Sequence, residues 1–332
     1  MTIVELSKLT GVSKSTISRV INNDPNVSEK TREIVLSAIR ETNYKPNAIA
    51  RGMITGKLPM VLIIVGDIEN YYFARTVVGI EKVLDNTGYM PVVYNSMYDE
   101  EKELRLIETA KQYRFTGIIP MTALSSEKLS KSLDDTDIPI VLINKGRHAK
   151  MHDGVFGDEQ EAGYLATNEL IDNGNKRIAY IGGSKKNSRT AREREQGYRD
   201  ALNEHGIDID ESLIFVGELD VESGFSIAEK IFSETDATAI CCNNYLMAAG
   251  VIRYADKLGK RPLIDYDIAC CEPVSEVYSK DIIYAGPDLE LIGSKAAEML
   301  LKRINGSKEP YQKVSFAVTE VCNPKKNKMY LE

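Results

Sequence analysis

The sequence lacks several features that would indicate metal or redox chemistry. Its 332 residues include no tryptophan, three histidines and five cysteines. No C-x-x-C spacing occurs, and His148 and His152 lie in a stretch that is not helical in pattern, so no zinc-like ligand set is predicted. No apolar run approaches the roughly 18 residues of a membrane span, and the N-terminus resembles neither a signal nor a transit peptide. We therefore predict a cytoplasmic protein with no metal, no cofactor and no membrane partner.

Catalytic motifs are also absent. The chain has no G-x-S-x-G around a nucleophilic serine, and no Ser, His and Asp in a convincing order. Gly182-Gly183-Ser184 follows an apolar run but lacks the other glycines and the lysine of a phosphate-binding loop. We predict that the protein is not an enzyme.

Four of the cysteines form two adjacent pairs, Cys241-Cys242 and Cys270-Cys271. Neighbouring residues of a strand point to opposite faces, so each pair places one thiol on each side of a sheet. Burial as small apolar side chains is the expected fate of such residues. A redox switch between the two pairs is the alternative.

Charge is distributed unevenly along the chain. Residues 1–57 contain nine Lys and Arg against five Asp and Glu, a net charge of +4. Because the whole chain carries −7, the remainder carries −11. A basic N-terminal segment on an acidic body concentrates the attraction for nucleic acid phosphates at one end.

The same basic segment has the pattern of a helix-turn-helix. Thr2 with Glu5 forms a capping box for a first helix, which then turns at Gly11. Ser13 opens a second helix and Ser28 a third. The predicted inward-facing residues recur at helical spacing and are Ile3, Leu6 and Leu9, then Ile17, Val20 and Ile21, then Ile34, Val35, Ala38 and Ile39. This arrangement leaves Lys14, Ser15, Ser18, Arg19 and Asn22 facing outward.

Beyond residue 58, apolar runs alternate with helical patterns, which predicts parallel sheets covered on both faces. Eight such units exceed what one sheet comfortably holds, so we predict two doubly wound lobes. We expect links between the lobes near Gly154–Glu159 and Ala285–Asp288. The predicted strands are Met60–Val65, Pro91–Tyr94, Gly117–Met121, Ile138–Ile143, Arg177–Gly182, Leu213–Val216, Thr238–Cys242 and Ile268–Cys271.

Four linked motifs of the N-terminal segment resemble the LacI/GalR family of bacterial transcriptional regulators. They begin at Thr10-Gly11-Val12-Ser13, at Thr16, at Val27-Ser28 and at Tyr44, and only Thr10 and Met53 depart from the usual residues. The resemblance extends over the body, which is similar to the type I periplasmic-binding-protein core. It implies a head at 1–46, a hinge at 47–57 and a core at 58–332, with lobes at about 58–156 plus 287–318 and 157–286 plus 319–332.

The resemblance also implies a homodimer that binds a near-palindromic operator in double-stranded DNA. Outward residues of the second helix, among them Ser18 and Asn22, would face the major groove. Base contacts would come from Lys14, Ser15 and Arg19, and phosphate contacts from Ser13, Thr16 and Asn26. The hinge would add Asn47 and Arg51, and Met53 would wedge into the minor groove.

Six residues are candidates to bind a small effector between the lobes. Arg194 precedes Gly197-Tyr198 as in the family's R-x-x-G-aromatic motif, and the others follow predicted strands or match an aromatic family motif. Each has a structural alternative as a solvated charge, a strand-end cap or a core aromatic. The candidates are Tyr72, Phe73, Asn144, Arg194, Asn244 and Glu272.

These groups favour a polyhydroxylated ring, with a sugar first and a nucleoside or purine second. Asn144, Tyr245 and Glu272 depart from the family pattern, so no known member's effector is transferred to this chain. A phosphoprotein corepressor is a further alternative within the regulator class. Outside it stand a sugar-binding module without a DNA role and an enzyme that uses the cleft.

Overall fold

The computed structural model describes residues 1–21, 24–44, 58–121, 126–144, 151–184, 188–275, 277 and 280–327. The chain divides into two compact units, Met1–Leu58 and Pro59–Glu332, which we call the head and the body. The predictions for Asn22, Asn47, Arg51 and Met53 fall outside the described residues.

The head contains the three predicted helices, α1 (Ile3–Thr10), α2 (Lys14–Ile21) and α3 (Glu29–Thr42). The Thr2–Glu5 capping box is present, and the Ser28 side chain accepts a hydrogen bond from the Thr31 N–H. Gly11 ends α1 with φ 69°, a left-handed conformation that glycine adopts without a steric penalty. Local capping chemistry thus sets where these helices begin and end.

The head core is one layer of side chains, and two of the predicted inward residues are not in it. Leu9 is 60% exposed and Ile34 is 44% exposed. Three short helices cover only a narrow stripe of each other, so apolar positions at the margin of a stripe stay in solvent. The buried core residues are Leu6, Ile17, Val20, Val35, Ala38 and Tyr44.

The body consists of two α/β lobes, as predicted. The sheet of lobe 1 has the order β2-β1-β3 continued by β4-β5-β11, with a parallel bridge from Ile118 to Ile140 joining the two parts. Its strands are β1 (Leu58–Val65), β2 (Met90–Asn95), β3 (Phe115–Pro120), β4 (Val141–Ile143), β5 (Asp153–Gly157) and β11 (Lys313–Phe316).

The sheet of lobe 2 has the order β7-β6-β8-β9-β10-β12, and every strand pair is parallel except the edge pair β10–β12. Both lobes therefore share one strand order, with a switch point beside the first strand of each. The strands are β6 (Ile178–Gly183), β7 (Ile214–Gly217), β8 (Ala239–Cys242), β9 (Asp267–Cys270), β10 (Ile283–Gly286) and β12 (Glu320–Cys322).

Helices cover both faces of each sheet. In lobe 1, α4 (Tyr71–Leu84) and α11 (Leu289–Ile304) pack on one face, and α5 (Glu100–Gln112) and α6 (Glu127–Asp134) on the other. In lobe 2, α7 (Glu159–Asp172) and α8 (Arg189–Glu204) oppose α9 (Val221–Glu234) and α10 (Tyr245–Lys257). A short helix, α12 (Pro324–Asn327), follows β12. Two layers of core per lobe result.

Four strands were not predicted, namely β5, β10, β11 and β12. Two of them occupy the predicted links, because Gly154–Gly157 and Ala285–Gly286 pair within the sheets. β5 has the loop-like sequence DGVFG, and β11 and β12 lie at sheet edges, where no continuous apolar run is needed. The crossings themselves are short and fall after β5, after β10 and between β11 and β12.

Three pairs of helices cross where glycine replaces a side chain on both partners. A Cβ atom on Gly163 of α7 would collide with the Arg194 carbonyl of α8, and one on Gly197 of α8 would collide with the Gln160 carbonyl of α7. Gly79 and Gly293 make the same reciprocal contact between α4 and α11, as do Gly224 and Gly250 between α9 and α10. At each crossing the two backbones touch directly.

None of the five cysteines, all of which are among the described residues, forms a disulfide. Cys241 and Cys271 share one face of the lobe 2 sheet with their sulfurs 3.8 Å apart, and Cys242 and Cys270 lie in the core on the other face. The prediction that each pair straddles a sheet is confirmed. Among the described helices, none is both long and apolar enough to cross a membrane.

Candidate functional site

The outer face of α2 presents the predicted DNA-reading residues to solvent. Lys14, Ser15 and Arg19 are exposed, and the Arg19 side chain is 63% accessible. Its only described ion pair is a loose one, with 3.9 Å between Nε and an Asp24 oxygen. A guanidinium held so weakly keeps its donors available for a base edge.

The remaining described head candidates surround this face. Ser13 Oγ accepts the Thr16 N–H at 3.2 Å and so caps α2, while Thr16 and Ser18 are half-buried. Asn26 is exposed and its Nδ2 donates to Asp24 Oδ1 at 3.0 Å. The individual DNA contacts of these residues stay predictions.

A cleft in the body lies at the carboxyl ends of the strands of both lobes. In doubly wound sheets this edge, beside the switch point, is where ligands bind. The cleft contains about 470 Å³ of empty space, open solvent at its mouth included. Its lining residues follow strands β1 to β4 of lobe 1 and β6 to β9 of lobe 2, and they are Asn70, Tyr72, Phe73, Tyr98, Met121, Asn144, Ser188, Thr190, Arg194, Leu219, Asn243, Asn244 and Glu272.

The structure brings all six effector candidates to this one cleft, although five segments distant in sequence supply them. It also adds residues that were not predicted. Each added residue follows a strand end, as Tyr98 follows β2 and Leu219 follows β7, so a search of all strand ends would have found them.

Arg194 is the central buried charge of the cleft, with 3% of its surface exposed. Its Nε donates to Glu159 Oε2 at 2.6 Å and its Nη1 donates to the Asn243 carbonyl at 2.6 Å. Nη1 also lies 3.5 Å from Glu272 Oε2. Burial alone would lower the pKa of Arg194, but the charges of Glu159 and Glu272 outweigh it and raise that pKa above its usual value.

Glu159 was not identified as a site residue from the sequence, although it orients Arg194. It is the first residue of α7 and is fully buried. While Oε2 accepts from Arg194, Oε1 accepts the Asn144 Nδ2 at 2.7 Å. This carboxylate therefore joins a residue that follows β4 of lobe 1 to the guanidinium of lobe 2.

Glu272 is the second buried carboxylate. Its Oε1 accepts the backbone N–H of Tyr245 at 2.9 Å. Burial raises the pKa of Glu272, against the opposing effect of Arg194. Two carboxylates thus share one guanidinium in the interior of the cleft.

The side-chain amides of the two asparagine candidates form hydrogen bonds within the protein. Asn144, at φ 51°, donates to Tyr72 Oη at 2.7 Å as well as to Glu159, and its Oδ1 accepts the Gly157 N–H at 3.0 Å. Asn244 caps α10 through the Met247 N–H at 2.9 Å. The structure thus shows both residues in the alternative role of holding the backbone near a strand or helix end. Direct contacts of these two residues with a ligand stay predictions.

Asn243 behaves differently from its neighbour. It lines the cleft with 3% of its surface exposed, and its Oδ1 is buried without a hydrogen-bond partner. A buried acceptor without a donor costs about 1–3 kcal/mol, so its neighbourhood favours a ligand that donates. Ser188 and Thr190 add hydroxyl groups to the same lining.

A two-lobed α/β body with a polar cleft, following a basic helix-turn-helix unit, defines a ligand-responsive DNA-binding regulator. Residues 2–47 match the model of the bacterial regulatory proteins of the lacI family. Residues 59–322 match the model of periplasmic binding proteins and the sugar-binding domain of the LacI family. The chain belongs to the LacI family of bacterial transcriptional regulators, and the resemblance predicted from the sequence is confirmed.

Curated relatives cover most of the chain. Catabolite control protein A of Priestia megaterium is 33% identical over 269 residues, which is 81% of each chain. The HTH-type transcriptional repressor PurR of Vibrio vulnificus is 32% identical over 307 residues, which is 91% of this chain and 92% of the relative.

Solved structures agree with the fold. The Lac repressor dimer bound to operator and the anti-inducer ONPF superposes with a TM-score of 0.81 at 22% identity, over 98% of this chain and 99% of that one. The complex of the transcriptional regulator CelR with cellobiose has a TM-score of 0.69 at 25% identity, over 96% of this chain and 98% of that one.

Proposed function

We propose that this regulator is a cytoplasmic homodimeric repressor whose affinity for a near-palindromic operator is set by a small polar ligand in the cleft. The observation that carries the proposal is the buried set of polar groups at the strand ends of both lobes, in a chain that begins with a helix-turn-helix. Relatives named as a repressor and as a catabolite control protein support the direction of control. The dimeric, operator-bound state of the Lac repressor supports the assembly.

In the head, Lys14, Ser15 and Arg19 read bases in the major groove, and Ser13, Thr16 and Asn26 hold phosphates. Exposed cations on one helix face suit this work, because phosphate contacts supply affinity and base contacts supply specificity. The hinge residues Asn47, Arg51 and Met53 complete the proposed interface, together with Ser18 of α2 and Asn22.

In the body, the ligand is a small polyhydroxylated ring, with a sugar first and a nucleoside or purine second. The cleft offers an aromatic side at Tyr72 and Phe73 and charged or amide groups at Arg194 and Glu272. The structural relative CelR is a cellobiose complex, which favours the sugar.

Control passes through the contact between the lobes. Asn144 of lobe 1 donates to Tyr72 Oη and to Glu159 Oε1, and Arg194 of lobe 2 donates to Glu159 Oε2. A ligand that binds one lobe arrangement more tightly than another shifts the population of arrangements by that difference in affinity. Operator affinity then changes with the arrangement that the ligand favours.

The test is a fluorescence-anisotropy titration of a selected operator, with and without each compound that raises the melting temperature in a screen of sugars and nucleosides. We expect one compound to change operator affinity by 5–150-fold, the usual range of allosteric coupling. Sedimentation of the full chain is expected to show a dimer. Operator binding that no stabilising compound alters would refute the ligand-controlled part of the proposal, and a monomer on DNA would refute the assembly.

A further inference from the structure

The interior of the cleft carries an excess of negative charge. Among the described residues, Glu159 and Glu272 are balanced there by Arg194 alone, and no described lining residue is a lysine. The next guanidinium, Arg189, lies outside the cleft lining and pairs through Nη1 with Glu193 one turn along α8, while its buried Nε and Nη2 have no hydrogen-bond partner among the described residues. The charge count of the site therefore remains one carboxylate in excess.

The donors of Arg194 are mostly occupied. Its Nε and Nη1 already donate to Glu159 and to the Asn243 carbonyl, each at 2.6 Å. Only part of the guanidinium is left for a ligand, and any anion placed beside it would also meet Glu272, which lies 3.5 Å from Nη1. Like charges in a buried site repel strongly, so a phosphate or a carboxylate is disfavoured.

An unpaired hydrogen-bond acceptor also disfavours an acidic ligand, independently of the charge count. Asn243 lines the cleft, and its Oδ1 is buried and has no hydrogen-bond donor among the described residues. It is satisfied by a ligand N–H or O–H, and a second acidic oxygen from the ligand would leave it unpaired. Glu272 already accepts from the Tyr245 N–H and the Asn70 side chain, so its negative charge favours a cation, and the unpaired Asn243 Oδ1 favours a donor.

Aromatic rings complete the surroundings. Tyr72 and Phe73 meet edge to face, with ring centroids 5.4 Å apart and an interplanar angle of 84°. Phe73 and Tyr98 are tilted by 59° with centroids 6.3 Å apart. Aromatic rings set at angles to one another can form a cage whose π faces attract quaternary ammonium groups.

We infer that the ligand of this cleft carries a cationic nitrogen, either a protonated amine or a quaternary ammonium group, held by Glu272 and Asn243 Oδ1 and covered by Phe73 and Tyr98. Combined with the hydroxyl-binding groups of the cleft, this describes an amino derivative of a polyhydroxylated ring. The inference rests on the proposed function only in taking the cleft as the effector site.

Isothermal titration of the full-length protein with matched probes tests the charge preference. The probes are glucose, glucosamine and glucose 6-phosphate, the corresponding galactose series, and tetramethylammonium chloride against sodium chloride. We expect saturable binding of at least one cationic probe, at least tenfold tighter than its neutral partner, and no saturable binding of the phosphates. Failure of every cationic probe to bind, or equal or tighter binding of a neutral or anionic partner, overturns the inference.

Variants assign the preference to the named groups. Glu272→Gln is expected to reduce the cationic preference at least tenfold, and Glu222→Gln, which removes a charge from an exposed pair with Arg253, leaves it unchanged. Tyr98→Leu provides a second, uncharged test if Glu272→Gln does not fold, and a cationic preference that survives the folded variants would overturn the assignment. Operator titrations with the bound probe separate the two proposals: a cation that binds without changing operator affinity supports the inference and contradicts its role as effector.

Discussion

The head and the body place their functional side chains in opposite environments. The reading face of α2 carries Lys14, Ser15 and Arg19 in solvent, whereas Arg194 and Glu272 of the cleft are almost wholly buried. A long polyanion must be met from outside, and its attraction survives in water because many phosphates act together. A small ligand is distinguished by few contacts, which are strong enough only where water is excluded.

This difference has a consequence for stability. A charge on the surface contributes little to folding, so the head can use its cations for binding alone. A buried charge must be compensated inside the protein before any ligand arrives, which is the role of Glu159 beside Arg194. Substitutions in the cleft should therefore change folding and binding together, and substitutions on α2 should change binding alone.

The largest effect is expected for Glu159→Ala. It removes the 2.6 Å partner of Arg194 and leaves the guanidinium with Glu272 at 3.5 Å, so we expect the unfolding free energy of the body to fall by about 3–5 kcal/mol. Urea unfolding followed by circular dichroism measures it. Glu222→Ala, which removes the partner of Arg253 in an exposed pair, is the control and should leave the midpoint unchanged. Equal midpoints for both variants would contradict the contrast between buried and exposed charge.

Arg19→Ala comes next, and its effect should appear in DNA affinity alone. We expect a loss of about 1–3 kcal/mol in operator binding together with weaker discrimination at one base position per half-site. Arg40→Ala removes the same charge from the exposed end of α3 and serves as the control. Anisotropy titrations on the operator and on single-base variants make the measurement. Losses that are equal for the two variants on every sequence would show that Arg19 acts only as a charge.

Removal of a helix cap should cost the head and the body a similar free energy but affect the function of the head more. Ser28→Ala uncaps α3 of the head and Ser126→Ala uncaps α6 of the body, each at about 1 kcal/mol. The head has one small core, so the same loss is a larger share of its stability. We expect Ser28→Ala to lower the temperature at which operator binding fails and Ser126→Ala to leave it in place. The reverse order would mean that the head is the more stable region.

The smallest effect is a pH dependence of the cleft. Burial raises the pKa of Glu272, so the folded protein holds this proton more tightly than the unfolded chain does. Unfolding free energy from this group therefore falls as the pH rises above the ordinary range of a glutamate. The groups that face it are Arg194, the Tyr245 N–H, the Asn70 side chain, Glu159 and the hydroxyl groups of Tyr72 and Tyr98.

Glu272→Gln removes this dependence, so its stability relative to the wild type should increase between pH 5 and pH 8. Thermal melts across that range measure the difference. Glu222, in an exposed pair with Arg253, is the control: because such pairs contribute little to folding, the stability of Glu222→Gln relative to the wild type should not change with pH. If the stability difference between Glu272→Gln and the wild type stayed constant with pH, neighbouring groups would fully compensate the charged form of Glu272 and the prediction would be wrong.

The structural features that the sequence predicts correctly are those set by residues close to one another along the chain. The helix starts at Thr2, Ser13 and Ser28 follow from capping rules that act within three residues, and the structure confirms them. Leu9 was placed wrongly because burial depends on which stripe of α1 the other helices cover. Spacing along one helix does not contain that information.

In the body, the alternation of strands and helices predicted the lobes. The family motif identified Arg194 and the strand-end rule identified Glu272, and the structure places both in one cleft. The rule could not select Asn243, whose Oδ1 is unpaired, over the adjacent Asn244, which caps a helix. Glu159 was also out of reach, because its role depends on the packing of α7 against a residue 35 positions later. Such pairings arise from tertiary contacts between segments that carry no common motif.

The reciprocal glycine contact between α7 and α8 sets a limit on how this sensor can be redesigned. Arg194 lies on α8 where the backbone touches Gly163, so the anchor of the cleft cannot slide or tilt to suit a new molecule. The contact between Gly79 and Gly293 fixes α4, which carries Tyr72 and Phe73, against α11 in the same way, whereas Tyr98 lies after β2 outside these crossings. Libraries that vary the side chains at these three positions and keep the crossing glycines should yield new ligand preferences on an intact scaffold, whereas libraries that replace those glycines should yield mainly misfolded chains.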